Sequence, residues 1–146
     1  MVLQADCVPL FFYDPSRKVV GIAHAGWSGT AKRIVKNVIK VMIEQYCCLP
    51  ENILVGIGPS IGPCCYEVGL EVAKKISPVL IKGSKYFVDL WQANKVQLLS
   101  SGVAEENIEV AELCTRCNSH IFFSARAANG NRTGRFGAGI MIKRNL

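Results

Sequence analysis

The first apolar positions of the chain fall in two short runs, Val8-Pro9-Leu10-Phe11-Phe12-Tyr13 and Lys18-Val19-Val20-Gly21-Ile22-Ala23, both rich in aromatic and β-branched side chains. Asp14-Pro15-Ser16-Arg17 between them is turn-forming, so the pattern predicts an antiparallel hairpin. With those four residues as the loop, Tyr13 lies opposite Lys18, and counting outward sets Cys7 opposite His24. Directly opposed side chains have Cβ atoms about 4.5 to 5.5 Å apart, close enough for a thiol and an imidazole to share a metal ion or exchange a proton. A loop longer or shorter by one residue would send them to opposite faces. The two alternating sets in the first run are both apolar, which predicts a hairpin covered on both sides. It also predicts a desolvated Cys7 thiol that stays protonated without a metal or a cationic neighbour.

Beyond the hairpin, Ile34, Val35, Val38, Ile39 and Met42 recur at helical spacing while Lys32, Arg33, Lys36, Asn37 and Lys40 hold the other side. This predicts a helix capped by Ser28 or Thr30 and running to near Cys47, with an apolar stripe that must cover a sheet. A buried strand is expected over Ile53 to Gly58, then a loop from Pro59 to Cys65 and a helix from near Glu67 to Ile76. A further helix from near Asp89 to Ser101 would end at the capping glycine Gly102. Strands are expected near Ile108 to Leu113, His120 to Ser124 and Gly137 to Lys143. The alternation gives an α/β (α+β) fold, a mixed β-sheet covered by helices.

With 146 residues, 50% of them hydrophobic, and a mean hydropathy of +0.25, the chain can bury one substantial core. No linker or repeat divides it, so residues 1–146 are expected to form a single domain. No apolar run reaches the roughly 18 residues of a membrane span, and residues 1–6 lack a signal-peptide pattern; a cytoplasmic protein is expected. Seven cysteines, including the neighbours Cys47-Cys48 and Cys64-Cys65, make a poor disulfide framework and fit a reducing compartment. The net charge of +6 is spread without a dense basic block or stacking motif, which argues against nucleic acid and for encounter with small anions such as phosphate. Cys64 and Cys65 read as buried. Cys114-Thr115-Arg116-Cys117 has metal or redox spacing but lacks a second pair at finger spacing, so it reads as structural.

Ala5-Asp6-Cys7-Val8-Pro9, His24-Ala25-Gly26-Trp27-Ser28-Gly29-Thr30, Gly58-Pro59-Ser60-Ile61-Gly62-Pro63-Cys64-Cys65-Tyr66-Glu67-Val68, Asp89-Leu90, Phe122-Phe123-Ser124 and Thr133-Gly134-Arg135 occur in that order over nearly the whole chain. Together they resemble the YfiH-type, or laccase-domain, family. The resemblance implies a layered YfiH-like sandwich and a metal-dependent purine nucleoside phosphorylase. Such an enzyme cleaves the N-glycosidic bond of adenosine, inosine or methylthioadenosine with phosphate, with accompanying adenosine deaminase activity. Polyphenol oxidase is the older name of the family, but two histidines are too few for a multicopper relay. The resemblance also implies a zinc, or sometimes copper, site of two histidines and one cysteine, of which Cys7 and His24 are two ligands. The other histidine comes from upstream of the Ala-Asp-Cys motif in the family, so the expectation is a chain truncated at its amino terminus relative to it. His120, expected in a strand, is the other histidine available as a substitute.

Gly26, Ser28, Gly29 and Thr30, between a strand and a helix, offer N–H donors of the kind that bind phosphate, or simply serve the turn. Arg126 and Arg135 are candidates to complete an anion clamp. Trp27 reads as a packing residue or as a stacking partner for a purine. Two other readings stand beside the phosphorylase: a metal-free hydrolase in which His24 deprotonates Cys7, and a noncatalytic fragment or binding module.

Overall fold

The computed structural model describes residues 1–143. Strands β1 (Val2–Gln4), β2 (Val8–Asp14) and β3 (Val19–Ala25) lead into helices α1 (Trp27–Ala31) and α2 (Ile34–Tyr46). Then come β4 (Leu54–Ile57), β5 (Glu67–Val68), α3 (Leu70–Ala73), β6 (Val79–Lys82), β7 (Lys85–Val88), α4 (Leu90–Leu99), β8 (Ile108–Val110) and β9 (Phe136–Ala138). The main sheet has the order β3-β2-β4-β8, antiparallel except for the parallel pair β4 and β8. A three-stranded sheet β5-β7-β6 and a ribbon of β1 with β9 complete a mixed α+β architecture, as the alternating pattern implied.

One core joins the two sheets and the helices. Val8, Leu10 and Phe12 of β2 are fully buried against Val35, Ile39 and Met42 of α2 and Leu90, Ala93 and Leu98 of α4. The stripe expected on α2 therefore covers the sheet. The opposite face of β2 is less covered: Pro9 is buried, but Phe11 and Tyr13 are only half-buried and border a shallow groove with Leu54, Gly56 and Ile140.

The hairpin exists, with a register shifted by two from the expected one. Asp14 is the last strand residue and pairs with Val19, so the loop is residues 15–18. The cause is local. Asp14 Oδ1 accepts the N–H groups of Ser16 at 2.8 Å and Arg17 at 2.9 Å, drawing the aspartate into the ladder, while Lys18 takes a left-handed φ of 53°. Tyr13 thus faces Val20, and His24 faces Pro9 rather than Cys7.

Other expectations also change. The single helix capped by Ser28 or Thr30 is two helices: Gly26 is the N-cap of α1, and left-handed Arg33, with φ of 59°, breaks the chain before α2. The helix expected over Glu67 to Ile76 is the short strand β5 followed by one turn, α3. The β6–β7 hairpin was not expected, although Gly83-Ser84 between two β-rich runs is a hairpin signal. The segment from His120 to Ser124 is a series of turns closed by Ile121 and Phe122 amides on the Asn118 carbonyl. The final expected strand is reduced to Phe136–Ala138. Helix α4 matches its forecast: Asp89 caps it by accepting the Gln92 N–H, and Gly102 follows with φ of 91°.

The Asp14 turn yields a test. Burial pushes this carboxyl up, but the Arg17 N–H, the Cys48 thiol, the Ser16 N–H and the charge of Arg17 outweigh it, leaving it below its ordinary value. A group held low in the folded state contributes stability that is present above the unfolded value of about 3.9 and lost as pH falls below it. Asp14→Ala is expected to lower the unfolding free energy by about 1 to 3 kcal/mol at neutral pH. In urea titrations, the difference from the parent should shrink as the pH is taken below that value.

Candidate functional site

The carboxyl ends of β3, β4 and β8 and the amino end of β2 lie along one edge of the main sheet, and the loops leaving that edge carry the candidate residues. Asp6 turns the chain into β2 with a left-handed φ of 85°, unusual for a residue other than glycine. Three contacts impose it. Its buried carboxyl accepts the Thr115 hydroxyl at 2.7 Å and the Arg126 N–H at 2.7 Å, and its carbonyl accepts the Ile61 N–H at 2.9 Å. The sequence shows Asp6 and Thr115 only as members of the Ala5-Asp6-Cys7 and Cys114-Thr115-Arg116-Cys117 segments and assigns neither a role. A lone acid between an apolar ribbon and a cysteine was the available signal.

Cys7 follows, half-buried, with Sγ pressed against Gly26: a Cβ built on that glycine would lie 2.9 Å from the sulfur. Positions 24 and 26 point to the same face of an extended chain, so His24 and the Cys7 thiol share a face. They are diagonal, because Pro9 stands opposite His24. Diagonal neighbours are about 7 to 8 Å apart at Cα, a looser relation than the direct opposition expected. His24 is exposed. Burial pushes the Cys7 thiol above its ordinary value, the Asp6 charge adds to this, and the Arg135 charge opposes it.

Arg126 also reaches this place. Its guanidinium donates to the Glu67 carbonyl at 2.6 Å and lies 5.2 Å from the centre of the Tyr66 ring. Asp6, Cys7, Gly26, Tyr66 and Arg126 line one hollow, and a second hollow bordered by Trp27, Tyr66, Arg116 and Arg126 adjoins it. Burial pushes the Tyr66 phenol up, Arg126 pulls it down, and the charges of Cys7 and Asp6 push it up again, a net rise. Arg135 is exposed and donates to the Gly134 carbonyl of its own loop at 3.0 Å.

The α1 residues differ from one another. Ser28 is half-exposed, and its carbonyl accepts the Lys32 N–H. A Cβ at Gly29 would stand 3.3 Å from the His24 carbonyl. Thr30 is buried, and its hydroxyl accepts from Asn94 Nδ2 at 3.1 Å, so this side chain faces the core. His120 is exposed in a turn and joins no group of three or more metal-type donors among the described residues.

The group of that kind found among the described residues is one whose spacing alone read as structural. Cys64, Cys65, Cys114 and Cys117 converge with all four sulfurs within 4.8 Å of one another. Cys64 and Cys65 are not buried as expected; they are exposed and half-exposed. The two pairs stand on loops that follow the adjacent parallel strands β4 and β8, which is why sequence separation hid them. Burial works to raise the Cys114 thiol. The Cys117 and Gly62 N–H groups and the thiols of Cys64 and Cys117 donate to it and bring it down to about 7. Burial pushes Cys64 and Cys65 up.

Residues 1–143 match the family model described as multi-copper polyphenol oxidoreductase laccase. The chain is 43% identical to "Purine nucleoside phosphorylase YlmD" of Geobacillus stearothermophilus over 90% of its own length and 51% of that protein. It is 36% identical to "Adenosine deaminase RL5" from an unknown prokaryotic organism over 97% of this chain and 57% of the other. The crystal structure of the Bacillus licheniformis hypothetical protein YfiH superposes with a TM-score of 0.85 at 43% identity, covering 91% of this chain and 53% of that one. The chain spans about half the length of these relatives. Among its described residues no helix is long and apolar enough to cross a membrane.

The Cys7–Gly26 contact sets the next expectation. Gly26 has an extended backbone open to any residue, so the obstacle to a side chain there is the sulfur alone. Gly26→Ala is expected to displace Cys7 and to cost about 1 to 3 kcal/mol in thermal or urea unfolding. Gly29→Ala, with a looser contact, should cost less, and the alkylation rate of Cys7 should change only in the former.

Proposed function

The chain belongs to the family described as multi-copper polyphenol oxidoreductase laccase, and from that membership and the hollow at Cys7 we propose that it carries the active-site region of a metal-dependent purine nucleoside phosphorylase. Its substrates are adenosine, inosine or methylthioadenosine with phosphate, and it also deaminates adenosine. The observation that carries this reading is the meeting of Cys7, Gly26, Tyr66 and Arg126 around one hollow in a chain whose relatives are named for those activities.

In phosphorolysis the bond from ribose C1 to the purine nitrogen breaks as a bond from C1 to a phosphate oxygen forms, and the base departs with its electron pair. Arg126 receives the phosphate. Its guanidinium is already held by the Glu67 carbonyl and the Tyr66 ring, so little reorganisation accompanies anion binding. Arg135, whose charge reaches Cys7, adds to the attraction for the anion, and of the turn residues Gly26 lines the hollow itself, with Ser28 and Gly29 proposed as further N–H donors. Trp27, partly exposed beside Tyr66, is the stacking surface for the purine.

One thiol and one imidazole on a common face fit two positions of a tetrahedral zinc site and leave the others open. Cys7 and His24 are the residues that would hold zinc, with copper as the alternative, and the ion when bound supplies Lewis acidity toward water for deamination. Both the zinc site and the metal-free hydrolase need the Cys7 thiolate, and chelation separates them, because only the former loses activity when the metal is removed. Seven free cysteines favour a reducing, cytoplasmic setting, and the shared core favours one domain.

The test is base release from adenosine and inosine by the zinc-loaded chain with and without phosphate. Release is expected only with phosphate and is expected to cease on chelation. Cys7→Ala should lower kcat/KM about 100-fold or more. Arg126→Ala should raise the KM for phosphate about 10-fold or more, since a charge-assisted contact is removed while the backbone N–H to Asp6 remains. Release that ignores phosphate, or full activity in Cys7→Ala, would overturn the assignment.

A further inference from the structure

The four-cysteine cluster lies outside the hollow and takes no part in the chemistry above. Its sulfurs come from two loops already stitched together. The Ser60 N–H donates to the Leu113 carbonyl at 3.1 Å and the Thr115 N–H to the Ser60 carbonyl at 3.0 Å. The Gly62 N–H donates to Cys114 Sγ at 3.3 Å, an amide-to-sulfur bond that favours the thiolate form. Glycine is needed at that turn, because a Cβ there would lie 2.7 Å from the Trp91 ring and 3.3 Å from Cys114 Cβ.

Cys117 Sγ stands 3.5 Å from Cys65 Sγ and 3.7 Å from Cys64 Sγ. A tetrahedron with metal–sulfur bonds of about 2.3 Å places its sulfurs about 3.8 Å apart, close to these separations. Four thiols with no carboxylate or imidazole among them form a soft donor set, which selects zinc or iron and rejects magnesium and calcium. Exposed Cys64 and Cys117 leave a path for the ion from solvent, and the thiol protons pass to water as the metal binds.

We propose that Cys64, Cys65, Cys114 and Cys117 form a closed tetrathiolate site for one structural zinc ion, separate from the Cys7–His24 pair. The site locks the loop after β4 to the loop after β8. Those loops hold Asp6 through the Ile61 N–H and the Thr115 hydroxyl, so the ion buttresses the turn that presents Cys7.

The test titrates reduced, metal-stripped chain carrying Cys7→Ser and His24→Ala with Co2+ and then Zn2+. One equivalent of cobalt is expected to give the sulfur-to-metal charge-transfer and tetrahedral d–d bands of a tetrathiolate, bleached by one equivalent of zinc. Cys64→Ser and Cys117→Ser change exposed side chains, so their circular dichroism should stay native. Each should weaken the cobalt charge-transfer band and lose at least 10-fold in zinc affinity. Zinc should raise the thermal midpoint of the parent more than that of Cys117→Ser. Cobalt bands unchanged in both serine variants, or four thiols that alkylate as fast with zinc as without it, would overturn the site. Neither outcome depends on whether the chain cleaves nucleosides.

Discussion

The carboxyl group of Asp6 is the constraint on which the rest of the site depends. It ties a turn near the amino terminus to Thr115 and Arg126, 109 and 120 residues away along the chain. A buried carboxyl is tolerated when its oxygens are bonded, and a left-handed φ at a residue with a side chain persists when its surroundings over-determine it. Both conditions hold at Asp6. The result is a short, rigid entry to β2 that delivers the Cys7 sulfur onto the bare backbone of Gly26.

The sheet explains why so many reactive side chains gather at one edge. Strand β2 lies between β3 and β4, and β4 runs parallel to β8, so the start of β2 and the ends of the other three coincide in space. The Gly58 amide on the Pro9 carbonyl and the Ala111 amide on the Ile57 carbonyl extend the pairing just into the loops. Crevices beyond the carboxyl ends of strands are where open sheets collect ligand-binding groups. Here the crevice holds two distinct sets of donors, one of mixed thiol and imidazole and one of thiols alone.

Elements with strong periodicity were legible from sequence: the β2–β3 hairpin, the apolar stripe of α2, and α4 with its aspartate cap, while β4, expected to be buried, buries Val55 and Ile57 and leaves Leu54 exposed. The errors follow physical lines. Asp14 looked like a loop residue because aspartate favours turns, yet it serves the turn from inside the strand, and this moved His24 from Cys7 to Pro9. The apolar run near Glu67 carried no strong helical period, and pairing with β7 drew Glu67–Val68 into a strand.

By itself the sequence determined the α+β class, the helical stripe that seals the core, and the presence of Cys7 and His24 in recognisable motifs, because these rest on local periodicity and residue chemistry. Tertiary structure alone decided that Cys7 and His24 stand diagonally, that Thr30 faces the core, and that Cys64 and Cys65 meet Cys114 and Cys117. Those outcomes depend on strand register and on a parallel crossover, both set by long-range pairing free energy that no short window of residues contains.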